Sequence, residues 1–212
     1  MRLLKVMAAA SVAALMGSSA MAANLVVNGD FEAGNTGFGS EFTFNTSNFA
    51  AGEYGIVTNP RAWNGNFRIF GDHTTGTSNM MIINGSQGTD DVVWSQTIAV
   101  TQNTDYDFSL WVQSAFSGSS DNQVRINGVD VGDVFADSFL DDWTFVTRQW
   151  NSGSATSAFI EIINLATGFG GNDFAFDDIS FVGGSTAPVP VPAAALLFAP
   201  LAAVAAMRHR KG

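Results

Sequence analysis

The sequence predicts an all-β domain, an antiparallel β-sandwich of jelly-roll kind, set between two terminal address segments. Three observations carry that expectation. First, short runs of alternating apolar residues recur between turn-rich stretches: Phe42-x-Phe44, Tyr106-x-Phe108-x-Leu110-x-Val112, Val124-x-Ile126, Ile160-x-Ile162 and Ile179-x-Phe181. A period of two sends alternate side chains to opposite faces of a strand, so one face is dry and the other wet. Second, Gly, Asn, Ser and Thr abound, long helical periodicities are missing, and Asn84-Gly85 and Asn127-Gly128 are strong turn signals. Third, the chain has no cysteine, so the fold is not stapled by disulfides. About 160 residues between the addresses are enough to bury a self-sufficient core as one domain.

The elements follow in chain order. Arg2 and Lys5 form a short basic region, Val6 to Met16 an apolar run, and Ala20-Met21-Ala22 a small-x-small site. That order predicts a secretory signal peptide over residues 1–22, cleaved before Ala23. The β-domain is expected over 23–184. Residues 185–212 begin with a linker and then carry Val189-Pro190-Val191-Pro192-Ala193, an uncharged stretch to Met207, and the basic end Arg208-His209-Arg210-Lys211. With Val189 to Pro192 this run nearly reaches the ~17–25 residues that span a hydrocarbon core. Pro200 is tolerated in a membrane helix, and the positive-inside rule keeps the basic end in the cytoplasm. On those features alone an ordinary tail anchor remains open.

A Val-Pro-x-Pro-Ala element, a short apolar helix and an Arg-rich terminus in that order resemble the VPLPA-CTERM sorting signal, a variant of the PEP-CTERM class. Val191 stands where Leu is usual. The resemblance covers about the last 24 residues and implies an exosortase-type membrane enzyme as partner. It also implies processing near Val189 to Ala194 and delivery to the envelope, surface or extracellular matrix of a Gram-negative bacterium.

Five of the nine basic residues lie in the two addresses. The segment 23–188 therefore holds four arginines, no lysine and all nineteen acidic residues, a formal charge of −15. Such a surface repels phosphate backbones and anionic lipid, which disfavours nucleic-acid binding. It suits Ca²⁺, a cation that takes hard oxygen ligands.

The domain opens Asn28-Gly29-Asp30-Phe31-Glu32 and closes Phe174-Ala175-Phe176-Asp177-Asp178-Ile179-Ser180-Phe181, with Trp94 to Val100 between. This opening, middle and close resemble the galactose-binding-like jelly rolls, especially the family 4/9 carbohydrate-binding modules. The resemblance implies that the first and last strands meet and that a structural Ca²⁺ ties them. Glu32 and Asp177 are the matching carboxylates, with Asp30, Asp72 and Asp178 as further candidates. Two carboxylates brought together favour a cation between them; the alternative is a set of solvated strand ends.

Alternation also sorts the faces. With Tyr106 to Val112 turned inward, Trp111 and Gln113 face out; by the same rule so do Arg125 and Glu161. An outward indole among planar polar groups suits a sugar, whose apolar face stacks on the ring. A loop folded over Trp111 would make it packing instead. Trp63 lies in a turn-rich stretch and is a second aromatic candidate; Trp94, Trp143 and Trp150 sit on strand patterns and are expected in the core.

For catalysis the sequence offers little. There is no thiol, no G-x-S-x-G elbow and no HExxH helix, and His73 is the one histidine of the mature domain. His73 is read as a hydrogen-bonding structural residue. A carboxylate pair of glycosidase type is not excluded by sequence. The leading expectation is a non-catalytic, exported module that associates with polysaccharide. A calcium-gathering structural protein is the alternative, and a small polysaccharide-active hydrolase is the third.

Overall fold

Asn127 and Gly128 both adopt left-handed backbone, with φ of 53° and 76°, the conformation a two-residue type I′ hairpin demands. They join two of the strands. The computed structural model describes residues 22–48, 50–137, 142–166 and 172–184, which belong to one compact unit, Ala22–Ser185. The signal segment and the sorting residues Val189, Pro190, Val191, Pro192, Ala193, Arg208 and Arg210 lie outside the described residues. Among the described residues no helix is long and apolar enough to cross a membrane.

In order the elements are β1 (Thr43–Phe44), β2 (Glu53–Val57), α1 (Pro60–Trp63), β3 (Met80–Asn84), β4 (Val92–Ala99), β5 (Asp105–Ser114), β6 (Ser120–Ile126), β7 (Val129–Ala136), β8 (Thr144–Asn151), β9 (Ser157–Asn164) and β10 (Asp173–Gly183). They form two sheets, β1-β2-β3-β10-β5-β8 and β4-β9-β6-β7. Every pairing is antiparallel except the short β1–β2 contact. The fold is a β-sandwich jelly roll, as the alternation predicts.

The main core lies between the sheets. Tyr106, Phe108, Leu110 and Val112 from β5, with Phe174, Phe176, Ile179 and Phe181 from β10, meet Trp94, Val124, Ile126, Ile160 and Ile162 from the smaller sheet. A second, smaller core sits on the outer face of the large sheet. There α1 and the segment after it fold back so that Trp63 and Phe67 cover Met80, Ile82, Ala115 and Ala175. This cover explains why β3 and the start of β10 are apolar on both faces. Gly55 on β2 is part of it, because a Cβ there would lie 2.5 Å from the Trp63 indole nitrogen. Trp94 is fully buried in the main core, Trp150 packs against it, and Trp143 packs against the second core.

The opening segment runs along the last strand. Leu25 N–H donates to Phe181 O (2.9 Å), Ile179 N–H donates to Gly29 O (2.9 Å), and Asn24 bonds both Ile179 O and Phe181 N–H through its side chain. Gly29 is required there, since a Cβ would sit 2.0 Å from the Ile179 carbonyl oxygen. Gly29→Ala is therefore expected to cost about 3 kcal/mol, the upper end for overpacking, because backbone cannot yield as a side chain can. Urea unfolding checks this against Gly65→Ala, whose Cβ would meet nothing within 4 Å and whose effect should stay within about 0.5 kcal/mol.

Candidate functional site

A β-bulge interrupts β10 between Asp177 and Ser180, with Asp178 in left-handed backbone (φ 49°). Consecutive strand residues normally point to opposite faces; the bulge lets Asp177 and Asp178 both serve the loop at residues 71–79. His73 N–H donates to Asp177 Oδ2 (2.8 Å), and His73 Nδ1 lies 2.8 Å from Asp178 Oδ2. Thr74 Oγ1 donates to the same Asp178 oxygen (2.5 Å). Asp72 organises the loop itself, accepting from Thr75 N–H (2.7 Å), Thr75 Oγ1 (2.9 Å) and Ser78 N–H (2.6 Å). Glu32 reaches in from the opening segment to accept from Asn79 N–H (2.8 Å).

The five acids proposed from sequence, Asp30, Glu32, Asp72, Asp177 and Asp178, thus line one pocket of about 120 Å³ with Thr74, Thr75 and Ser78. Burial pushes the Asp177 carboxyl up to about 7, against the His73 and Asp178 N–H bonds, with the Asp178 and Asp72 charges adding to the rise. Burial acts on Asp72 too, but its bonds from Thr75, Ser78 and Thr77 outweigh it and hold that carboxyl below its ordinary value. Among the described residues no three acidic or imidazole groups already stand as a metal-holding set. The carboxylates are engaged by N–H and O–H donors instead.

The residues proposed for ligand contact do not come together. Trp111 and Gln113 lie on β5 in the large sheet, whereas Arg125 on β6 and Glu161 on β9 are cross-strand partners in the other. The outer faces of a sandwich point away from each other, so the four cannot share a ligand. Trp111 is half-buried, with His73 stacked on it at 3.7 Å between centroids and Phe145 at 5.1 Å. That loop occupies the ring face a sugar would need. Gln113 is 5% exposed and Trp63 3% exposed. Trp63 is not a loop-tip platform; it packs in the second core and donates its indole N–H to Asn45 O (2.9 Å). Arg125 is engaged by Asp90 (2.7 Å) and Gln123 (3.0 Å).

A second pocket, about 290 Å³, opens where β2, β3, β5 and β10 meet their loops. Its walls include Asn64, Asn66, Asn84, Asp173, Phe67 and Phe116. Behind them stands Glu53, buried on β2. Its carboxylate accepts from Asn45 Nδ2 (2.6 Å), Asn48 Nδ2 (3.0 Å) and Ala50 N–H (3.0 Å). Because Asn48 must turn its NH₂ toward that carboxylate, its Oδ1 faces the pocket side. There it accepts from both Asn64 Nδ2 and Asn84 Nδ2, each at 2.7 Å. Asn64 Oδ1 in turn accepts from Asn66 N–H (3.0 Å). One buried carboxylate thereby sets the orientation of three amides. Asn84 lines the pocket beside Asp173, its register partner across the β3–β10 pair. Burial pushes Asp173 up to about 6, partly offset by the Gly85 N–H. Scattered single asparagines show no period, so the sequence signal for this group was composition alone.

The fold is similar to carbohydrate-binding modules. The structure resembles the tandem CBM22-1–CBM22-2 domains of Paenibacillus barcinonensis Xyn10C at a TM-score of 0.51 and 14% identity, covering 83% of this chain and 49% of that one. An arabinose-bound α-L-arabinofuranosidase, MgGH51, matches at a TM-score of 0.50 and 17% identity, covering 77% of this chain and 27% of that one. This chain therefore spans about half of the first and about a quarter of the second. A family 16 carbohydrate-binding module matches at a TM-score of 0.42 and 17% identity, covering 75% of this chain and 99% of that one. At these identities the likeness is one of fold. No family model matches the chain, and no curated protein sequence matches it.

Proposed function

We propose that the protein is an exported, non-catalytic β-sandwich module that associates with carbohydrate of the envelope or extracellular matrix through the amide-lined pocket. The observation that carries the reading is the Glu53–Asn48–Asn64/Asn84 hydrogen-bond chain. It holds planar amides in fixed orientation beside the half-buried Phe116 ring and a carboxylate, the groups that sugar hydroxyls and the apolar face of a sugar ring would use. Binding groups held in place before the ligand arrives cost less entropy on association. The shared fold with the CBM22 tandem of Xyn10C agrees with it. Residues 1–22 would direct export. Residues 185–212 would be read by an exosortase-type enzyme, with the apolar run in the membrane before processing. Affinity electrophoresis of the mature domain through neutral polysaccharides tests the binding reading: retardation that Asn84→Ala removes supports it, and no retardation in any polymer overturns it.

A structural Ca²⁺ at the acidic pocket would tie the opening segment, the 71–79 loop and the bulge of β10. Hard carboxylate and hydroxyl oxygens line the pocket and a cation would lift the burial penalty on Asp177, but among the described residues no three of the acids stand as a metal-holding set, so binding would have to draw them off their N–H and O–H donors. The ion would hold the fold and take no part in reaction. At ~100 times the dissociation constant, Ca²⁺ is expected to raise the unfolding free energy by about 2.7 kcal/mol at neutral pH. Melting scans with calcium and with chelator check this, and Glu32→Gln should erase the difference. Identical melting in both media would sink the ion site without touching the amide pocket.

A further inference from the structure

We propose that the amide-lined pocket takes a single uncharged sugar residue, a chain end or a one-residue branch, and turns away sugars that carry a carboxylate. The inference rests on the carbohydrate reading above and names the class of sugar that the same site admits. Size is the first argument. At about 290 Å³ the pocket stands at the small end of ligand sites, which run from ~300 to ~1,000 Å³. One ring fills it, and a bound chain would have to leave through the mouth.

Hydrogen-bond polarity is the second argument. The Glu53 chain commits one N–H of Asn64 and one N–H of Asn84 to Asn48, which fixes both amide planes at the pocket wall. Asp173 is an acceptor when ionised. That carboxylate requires a donor, and a sugar hydroxyl supplies one while keeping lone pairs for the Asn66 and Asn84 amides. A carboxylate carries no donor and would set acceptor against acceptor.

Charge points the same way. Glu53 and Asp173 flank Asn84 as its register partners on β2 and β10, and no Arg, Lys or His is among the described lining residues. A uronate would thus bring a third negative group into a site with no lining cation, on a domain whose segment 23–188 already carries a formal −15. Like charges set together across an interface cost several-fold to several-hundredfold in affinity. Phe67, buried in the second core, backs the lining, and the half-buried Phe116 offers apolar surface for the C–H face of a neutral ring.

The test is calorimetric titration of the mature chain with methyl glycosides of glucose, galactose and xylose and of glucuronic and galacturonic acid, at pH 7.5. Glucose and glucuronate, and galactose and galacturonate, differ only at C6. At least one neutral glycoside should bind, with its uronate partner roughly 100-fold weaker. Asp173→Asn should narrow that gap at least tenfold by strengthening the uronate. Asn66→Ala, whose side chain is exposed, should weaken the neutral sugar about tenfold while leaving the melting temperature unchanged. A hexasaccharide of the same sugar should bind within about threefold of the monosaccharide.

Uronates binding as well as their neutral partners, with Asn66→Ala still weakening both, would overturn the charge selection and leave the location standing. Binding indifferent to both substitutions would overturn the location itself. A hexasaccharide bound more than ~100-fold tighter would overturn the single-residue reading, and no neutral sugar bound at about 10 mM would overturn the proposal whole.

Discussion

Glu53→Leu is expected to abolish carbohydrate binding and to lower the unfolding free energy by about 3–4 kcal/mol. The residue never lines the pocket; its effect passes through the amides. Leucine keeps most of the volume but leaves Asn45 Nδ2, Asn48 Nδ2 and Ala50 N–H without the carboxylate they donate to. A hydrogen bond to a charged group is worth about 1.5–3 kcal/mol, and a buried donor left unpaired loses its solvation as well. Asn48 keeps its bond to Ala50 O (2.9 Å), which is why the loss stops short of the full sum. Once Asn48 is free to flip, Asn84 loses the partner that orients it and Asn64 is held only by the Asn66 N–H. Glu53→Gln is the instructive intermediate. It retains one acceptor but turns an NH₂ toward Asn45 or Asn48, so stability should fall less and binding should still weaken at least tenfold. Urea unfolding with titration of the bound sugar reads both quantities. Glu53→Leu that binds normally would show that the amides are positioned by something else.

Asp173→Asn is expected to stabilise the domain by about 2–3 kcal/mol at pH 8 and to leave it nearly unchanged at pH 4. In the folded chain burial pushes the carboxyl up to about 6 from its ordinary 3.8. Between those two values the folded state holds a proton that the unfolded state has released. The unfolding free energy therefore falls as pH rises through this window. Stability linked to this group is fully present below about 3.8 and lost above about 6. A shift of this size corresponds to about 3 kcal/mol, which asparagine removes because it has no charge to desolvate. The difference between variant and wild type isolates Asp173 from Asp177, whose raised value adds a similar slope to both proteins. A flat difference from pH 4 to pH 8 would refute the account. A buried acid that weakens its own fold at neutral pH is easier to understand as a binding group than as a structural one, since binding sites retain such costs where packing alone would not.

The strands were legible because burial between two sheets imposes a period of two, which β6 obeys throughout and β5 and β9 obey as far as Val112 and Ile162. Met80 to Ile83 and Phe174 to Asp177 do not alternate, because a second layer covers the outer face of the large sheet there. Trp111 shows the same limit in reverse. Its outward position could be read from the strand pattern, but the His73 ring laid over it belongs to a loop nearly forty residues away in sequence. Trp63 stands out in sequence as an aromatic candidate because a turn-rich stretch gives no sign of folding inward onto Gly55. Among the acids, the short motifs at the two ends of the domain pointed to Glu32 and Asp177, and the fold brings all five candidates to one pocket.

From the residues alone, the alternation of apolar side chains determined the class of fold, and the absence of cysteine determined that packing holds it together. Neither depends on which loop covers which face. Only the tertiary structure decided that Trp111 is covered, that Arg125 and Glu161 face away from it, and that Glu53 stands behind three asparagines from separate segments. The physical reason is range. Periodicity is a property of neighbours along the chain, whereas a hydrogen-bond chain linking residues 45, 48, 53, 64 and 84 exists only once five points of backbone have been closed into one corner.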